Sequence, residues 1–324
     1  MHWYWIVCIA VGAAALLYAA IGVLLFFAAF RRSPKMDMLA KGAENTHWAP
    51  YIPRMRETHK RMQTLPHTTV THKSFDGVML YGDYYEQAQS ARIVILVHGY
   101  YSLPWWDFSV IFNAYYDAGY SVLAVEDRAH GRSGGRFVGF GALDSRDVEG
   151  WISDLLEKHP NSRIALHGVS MGASTVLLVT GDQPSDRVVC AVSDCAFSSV
   201  GAVAKHLAKR SHLPLLPFLW IVNLCCRRFA GYSMYTPAAQ DAVRRSHTPT
   251  LFVHGDKDDF VPFAMMQPLY DACTAEKQCR VFSDAQHGES SQRYPQEYAD
   301  AALSFVNGYM ERAEALACPQ ESAT

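Results

Sequence analysis

Apolar and polar positions divide the chain into two regimes. From Trp3 to Phe30 no residue is charged. As a helix, those 28 residues would extend about 42 Å, beyond the roughly 30 Å hydrocarbon core of a bilayer. A cleaved leader has a basic start, a shorter apolar stretch and small residues at its cleavage point. Here no Lys or Arg precedes the run, and it ends in Phe30-Arg31-Arg32, so residues 1–30 are expected to be an uncleaved transmembrane anchor. Such a segment supplies location and is expected to add nothing to the core of the domain after it.

Residues 31–66 read as a connector with Pro34, Pro50, Pro53 and Pro66 and one short basic helix from about Arg54 to Gln63. After it the rhythm changes. Thr68–Ser74 and Val78–Tyr85 flank Asp76-Gly77, a hairpin turn pair. Ile93–His98, Ser121–Glu126, Arg163–His167, Val188–Ser193, Thr250–His254 and Arg280–Phe282 are short apolar runs bounded by Gly, Asp or His, as strands buried on both faces should be. Trp106–Ala118, Ser145–Lys158, Met171–Thr180, Pro262–Cys273 and Gln296–Leu316 carry helical patterns between them. This alternation predicts an α/β domain over 67–316, a doubly wound and mostly parallel sheet with an antiparallel start, followed by a tail at 317–324.

One stretch breaks the rhythm. Roughly fifty residues, about 197–245, separate two strands, far more than the usual short connection. Within them Leu213–Cys226 is strongly apolar and too short to span a bilayer. The insertion reads as a helical cap over the active site, or a membrane-touching lid; the alternative is a helical pair packed as ordinary core.

Charge narrows the classes. The 324 residues carry a net charge of −2, and no basic run interleaves with aromatics in the folded part, so nucleic acid is not an expected partner. Residues 31–61 hold eight Lys/Arg and three Asp/Glu, a local excess of +5 that suits either anionic headgroups or a solvated tether. Arg31, Arg32, Lys35 and Lys41 all follow the apolar span, which by the positive-inside rule places the catalytic domain in the cytoplasm. None of the eight cysteines stands in a CxxC pair, which argues against a zinc ribbon or thioredoxin-type site; reduced thiols are expected, with a Cys273–Cys279 disulfide as the alternative.

Chemistry enters at Gly168-Val169-Ser170-Met171-Gly172. A strand runs into this pentad and a helix leaves it, so Ser170 sits at the apex of a tight turn whose glycines relieve crowding. A serine hydroxyl needs a base, and the base needs an orienting carboxylate. Downstream, one strand ends in Gly255-Asp256-Lys257-Asp258-Asp259 and the next in Asp284-Ala285-Gln286-His287, giving the order Ser, Asp, His. No spaced His or Cys partners the three aspartates, so one serves the site, two are read as solvated, and no metal is expected. His98, His167 and His254 each precede a Gly at a strand end and read as loop-shaping. Tyr100, Tyr101, Trp105 and Trp106 either line an apolar acyl pocket or pack the next helix on the sheet.

With these motifs in place, the chain resembles the α/β-hydrolase superfamily over roughly 68–312, in particular the bacterial serine-aminopeptidase-like and esterase/lipase-like serine hydrolases. The family pattern HGxxDxxVP matches His254–Pro262 and implies Asp258 as the acid. The oxyanion loop HGxx matches His98-Gly99-Tyr100-Tyr101, implying an oxyanion hole built from the backbone N–H groups of Tyr100 and Met171. DxRGHGxS matches Asp127–Ser133 with Ala129 in place of Gly, and GxxH is met at His287 with Asp284 in place of Gly. The resemblance implies an acyl-enzyme on Ser170, with His287 as base, Asp258 as its orienting acid and no cofactor. A small-molecule or lipid-like carboxylic ester is the expected substrate. A peptidase or thioesterase with the same residues, or a catalytically silent binding protein, is the rival reading.

Overall fold

The computed structural model describes residues 3–32, 46–88, 90–212 and 214–317. Lys35, Lys41, Leu213, Cys318 and nearly all of the tail therefore lie outside the described residues.

The uncharged run forms one helix, α1 (Trp3–Phe30), and the connector contributes α2 (Ile52–Thr64). Then come β1 (Thr68–Lys73), β2 (Met79–Tyr85), β3 (Arg92–Val97), α3 (Pro104–Asp107), α4 (Ile111–Asp117) and β4 (Ser121–Glu126). They are followed by α5 (Asp144–Lys158), β5 (Arg163–Val169), α6 (Met171–Gly181) and β6 (Val188–Asp194). The long connection holds α7 (Val200–Arg210), a 3-10 turn Leu216–Phe218, α8 (Leu219–Cys225), a π turn Cys226–Ala230 and α9 (Ala239–Val243). The chain continues with β7 (Thr250–Gly255), α10 (Met266–Ala272), β8 (Lys277–Phe282), α11 (Ser290–Arg293) and α12 (Pro295–Ala317).

Two predicted helices differ in detail. The one expected over Trp106–Ala118 is two pieces, α3 and α4; between them the Ser109 carbonyl turns out to accept from Thr58 Oγ1 of α2 at 2.7 Å. The one expected from Pro262 opens as a 3-10 turn, Phe263–Met265. Strand β8 starts three residues earlier than its apolar run suggested, because as an edge strand it exposes Gln278, Cys279 and Arg280.

Among the described residues the strands form one sheet in the order β1-β2-β4-β3-β5-β6-β7-β8, antiparallel at β1, β2 and β4 and parallel beyond. Alternation along the buried strands sends side chains to both faces. Val94 and Leu96 of β3 pack with Phe112 of α4 and Phe305 of α12, whereas Ile93, Ile95 and Val97 pack with Trp151 of α5 and Val176 of α6. After β3 the chain goes to β4 on one side and returns to β5 on the other. That leaves a crevice at the carboxyl ends of β3 and β5, where such sheets hold their ligands.

The expectation that the N-terminal helix adds nothing to the core is overturned. Gly22, Phe26 and Phe30 are buried in a cluster with Ile221, Val222, Cys225, Cys226, Tyr232 and Met234 of the insertion. Beyond the helix, Val138 N–H donates to Phe30 O at 2.9 Å and Arg32 N–H to Arg136 O at 3.0 Å, so the chain stays tied to the domain. The Arg32 guanidinium donates to the carbonyls of Gly131 and Ser133. The connector is likewise no free tether where described. Met55 and Met62 are buried, Arg54 donates to Gln292 O at 2.8 Å, and Arg61 pairs with Asp117. Trp106 packs with Ile52 and Met55, and Trp105 stacks on His59 at 4.4 Å, so both tryptophans pack on the connector helix α2. Cys273 and Cys279 are free thiols, so the disulfide alternative falls.

Candidate active site

Ser170 occupies the turn between β5 and α6 with φ +54°, a left-handed conformation that a non-glycine residue adopts only when its surroundings enforce it. Two glycines make the turn sterically feasible. A Cβ on Gly168 would collide with the Gly172 backbone, and one on Gly172 with the Val97 carbonyl of β3. The turn is pinned by Ser170 N–H donating to Asp194 O at 2.8 Å.

The three residues singled out in sequence lie in one hydrogen-bonded line. His287 Nε2 is 2.8 Å from Ser170 Oγ, and His287 Nδ1 is 2.7 Å from Asp258 Oδ2. With the carboxylate as acceptor, Nδ1 carries the hydrogen and Nε2 is left to receive the serine proton. Asp258 is held from several sides: its Oδ1 accepts from Phe260 N–H at 3.0 Å and Val261 N–H at 2.8 Å, and His254 Nε2 lies 3.2 Å from its Oδ2. Burial by itself would push this carboxyl up. Hydrogen bonds from His254 and His287, and their charge, more than offset that and hold it at about 2.

Both departures from the family pattern fall on left-handed backbone. Ala129 has φ +62° and Asp284 φ +57°, conformations that glycine adopts freely. Asp is one of the few other residues that tolerate this region, and Asp284 N–H is further secured by Asp256 Oδ1 at 2.6 Å. Asp256, read in sequence as a solvated neighbour, therefore ties the Asp258 loop to the His287 loop. Asp259, the other neighbour, is exposed and pairs with Arg210 at 2.6 Å.

The loop after β3 presents a free donor. Gly99 N–H is taken by Asp107 Oδ2 at 2.6 Å and Tyr101 N–H by His130 Nε2 at 3.1 Å. Among the described residues, Tyr100 N–H and Met171 N–H have no acceptor within the chain; the latter opens α6, where helix N–H groups are unpaired by geometry. Tyr100, Tyr101 and Met171 join Val138, Phe140, Phe197, Val200, Val203 and Val261 in one apolar cluster.

Buried histidines brace this loop. His98 Nδ1–H donates to Gly99 O at 2.8 Å while its Nε2 accepts from Asp127 N–H at 3.0 Å. His130 uses the same division between Arg128 O and Tyr101 N–H. Burial drives His98 well below its ordinary value and His130 down to about 4, so both stay neutral and keep these roles near neutral pH. His167 bridges the hydroxyls of Tyr115 and Tyr298 at 3.1 and 2.9 Å, a core position rather than a loop one. Sequence reasoning missed the contact of His254 with Asp258, and it missed Asp107 altogether. An acid in a short helix after an HG pair carries no pattern of its own. The Asp107 carboxyl, raised to about 6 by burial against the opposing pull of Gly99 N–H, also accepts from Ser102 Oγ at 2.7 Å.

Potential metal donors of Cys195, Asp258 and His287 lie within 4.8 Å of one another. Both nitrogens of His287 are already engaged by Asp258 and Ser170, which leaves neither free as a metal ligand.

Comparison with known proteins agrees with this architecture. The family model for serine aminopeptidase S33 matches residues 88–220, and that for the FSH1 serine hydrolases matches 168–288. The protein YqkD of Bacillus subtilis is 24% identical over 311 residues, covering 94% of this chain and 98% of its own. A monoacylglycerol lipase of Mycolicibacterium smegmatis is 25% identical over 253 residues, covering 64% of this chain and 86% of its own. The esterase Pf2001 of Pyrococcus furiosus superposes with a TM-score of 0.65 at 24% identity, over 78% of this chain and 94% of that one. Sheet order, the turn at residue 170 and the structural match give the chain the α/β-hydrolase fold, and the two family models show that parts of it resemble the serine hydrolases.

Proposed function

We propose that the chain is a membrane-anchored esterase that forms an acyl-enzyme on Ser170. The observation that carries this reading is the continuous hydrogen-bonded line Ser170–His287–Asp258. His287 takes the serine proton as Oγ attacks the ester carbonyl, and Asp258 keeps Nδ1 protonated and steadies the imidazolium. Tyr100 and Met171 N–H receive the developing oxyanion, each worth about 3 kcal/mol of barrier lowering. The alkoxide then leaves with the proton from His287, and water repeats the cycle to free the acid. The relative named as a monoacylglycerol lipase and the apolar cluster around Met171 support an ester with a lipid-like acyl group. The serine-aminopeptidase model keeps a peptide or other amide as the second reading, with a thioester as its sibling, since bond type is decided by leaving-group contacts.

In this reading α1 crosses the bilayer, and the basic residues after it keep the catalytic domain in the cytoplasm. An impermeant protease applied to intact cells tests the side: digestion of the domain from outside would reverse the orientation and leave the chemistry untouched. For the chemistry, a fluorophosphonate probe should label the full chain and fail on Ser170→Ala. Undiminished labelling of that variant would remove Ser170 as nucleophile. p-Nitrophenyl esters of graded chain length, run beside aminoacyl amides, separate the two readings of the bond.

A further inference from the structure

Two segments almost two hundred residues apart run side by side and change character at the same height. Alongside α1, Tyr18 donates to Pro217 O and accepts from Trp220 Nε1 at 2.6 Å; Ile221 lies directly against Gly22; Phe229 meets Phe26 and Phe27 at 5.9 and 6.0 Å; and Tyr232 approaches Phe30. The run from Leu216 to Phe229 thus climbs parallel to α1 from Tyr18 to Phe27. Each is apolar below and basic above. Past α1 come Arg31 and Arg32; past α8 come Arg227 and Arg228.

The outward face of the second segment is bare. Leu216, Trp220, Leu224 and Phe229 are 42 to 59% exposed. Between Leu216 and Cys226 its one polar aliphatic side chain is Asn223, whose Oδ1 accepts from Met234 N–H at 2.9 Å and from the Ser233 hydroxyl at 3.2 Å. From Leu219 to Ala230 the backbone is helical, the form a hydrocarbon environment demands. Above this face Arg31, Arg136, Arg227 and Arg228 are exposed, and among the described residues none has an ion pair; Arg136 and Arg228 lie over Phe137 and Phe229.

Depth follows from helix geometry. The aromatic trio Trp3, Tyr4 and Trp5 suits one membrane boundary, and Tyr18 is then about 22 Å further along at 1.5 Å per residue. A hydrocarbon core of about 30 Å places Tyr18, and the Leu216–Trp220 turn beside it, still inside the apolar layer. The second boundary falls near residues 22–25, and the free arginines sit just past it, at the level of lipid phosphates.

We propose that Leu216–Leu224 is a second membrane-inserted element, which together with α1 seats the mouth of the Ser170 site on the headgroup layer of an anionic bilayer. Ala29, about 10 Å beyond that boundary along α1, accepts the hydrogen bond of Tyr100, whose own N–H faces the proposed oxyanion site. An aromatic ladder of Phe30, Phe140 and Tyr100, with centroids 5.0 and 4.8 Å apart, joins the inserted pair to that loop. The substrate class is then an ester lodged in the leaflet, its acyl chain in the hydrocarbon and its carbonyl at the height of the site. This part rests on the esterase reading; the insertion does not.

The test places a photo-crosslinking benzoylphenylalanine at Leu16, Leu224 or Leu316 of the full chain, in phosphatidylcholine vesicles containing phosphatidylglycerol, with lipid adducts read by mass spectrometry. Adducts at Leu16 and Leu224 with none at Leu316 are expected. An adduct at Leu16 alone overturns the inserted cap and spares the anchor; none at Leu16 or Leu224, or equal yield at Leu316, overturns both. In parallel, Leu224→Glu should leave turnover of a soluble short-chain ester unchanged and lower turnover of a vesicle-embedded long-chain ester by about tenfold, as a charge set against the apolar layer would. Equal loss on both substrates overturns the leaflet substrate. Absence of turnover on either by the unsubstituted chain sinks the esterase reading and the leaflet substrate with it, and the adducts still decide insertion.

Discussion

The Tyr100 hydroxyl donates to the Ala29 carbonyl at 2.6 Å, joining the loop beside the proposed nucleophile to the last turn of the N-terminal helix. A residue whose backbone N–H is proposed to serve the oxyanion is thereby fixed by a segment whose composition suits a membrane anchor.

Removing residues 1–30 should therefore do more than detach the domain. It strips Phe26 and Phe30, both buried, from the cluster they share with the insertion, and truncating a buried Phe costs about 3–5 kcal/mol. A fall of at least about 10 °C in Tm is expected for that deletion. Deleting only residues 1–16 keeps Tyr18–Phe30 docked and should hold the midpoint close to that of the full chain. Scanning calorimetry in one detergent compares them, and equal midpoints would take the helix end out of the core.

Among three neighbouring aspartates only one touches His287. Asp258→Asn should lower kcat by about 10⁴ through loss of the imidazole's orienting partner. Asp256→Asn should be mild, because an amide carbonyl can still accept from Asp284 N–H, and Asp259→Asn milder still at its exposed pair with Arg210. A severe Asp256 variant would mean the acid has been misassigned by two residues.

His254 supports Asp258 from behind. A carboxyl held at about 2, below the usual 3.8, contributes stability that is present above 3.8 and lost as pH falls through about 2. His254→Ala removes the first of the hydrogen bonds that depress it, so acid unfolding should begin at higher pH. Loss of this contact, together with the His254 Nε2–H bond to the Val261 carbonyl at 2.9 Å, should also lower kcat by roughly tenfold or more. Thermal midpoints from pH 2 to 5, side by side with the unsubstituted chain, check the first point. Superimposable acid limbs would dismiss the role.

Asp107 holds the loop after β3, the proposed oxyanion loop, with both of its oxygens, one for Gly99 N–H and one for the Ser102 hydroxyl. An Asn there can accept from only one of them. Asp107→Asn is expected to lower kcat by about 10² with little change in KM, the mark of a misplaced oxyanion donor. Its carboxyl is raised to about 6, so its contribution to stability is full below 3.8 and is lost as pH rises through 6; the variant should flatten that part of the pH–stability curve. A KM effect without a kcat effect would contradict the assignment.

Much of this molecule was decided by sequence alone. Alternating apolar runs determined the parallel sheet, since a strand buried on both faces must be apolar throughout. Gly168 and Gly172 marked the turn at Ser170, because no side chain fits where the backbone of β3 and α6 closes on them. The order of Ser170, Asp258 and His287, each just past a strand, foretold that one sheet edge would gather them. Tertiary structure decided what local pattern is blind to. In a helix that is apolar on every side, Phe26 facing protein and Leu24 facing outward look alike, because no polar position marks the difference. The partners of Phe26 outside its own helix, Phe137 and Phe229 among them, lie more than a hundred residues away, and no spacing rule reaches that far. Likewise, Asp256, His254 and Asp107 became supports of the site only once neighbouring loops were folded over one another and brought a specific donor within reach of each.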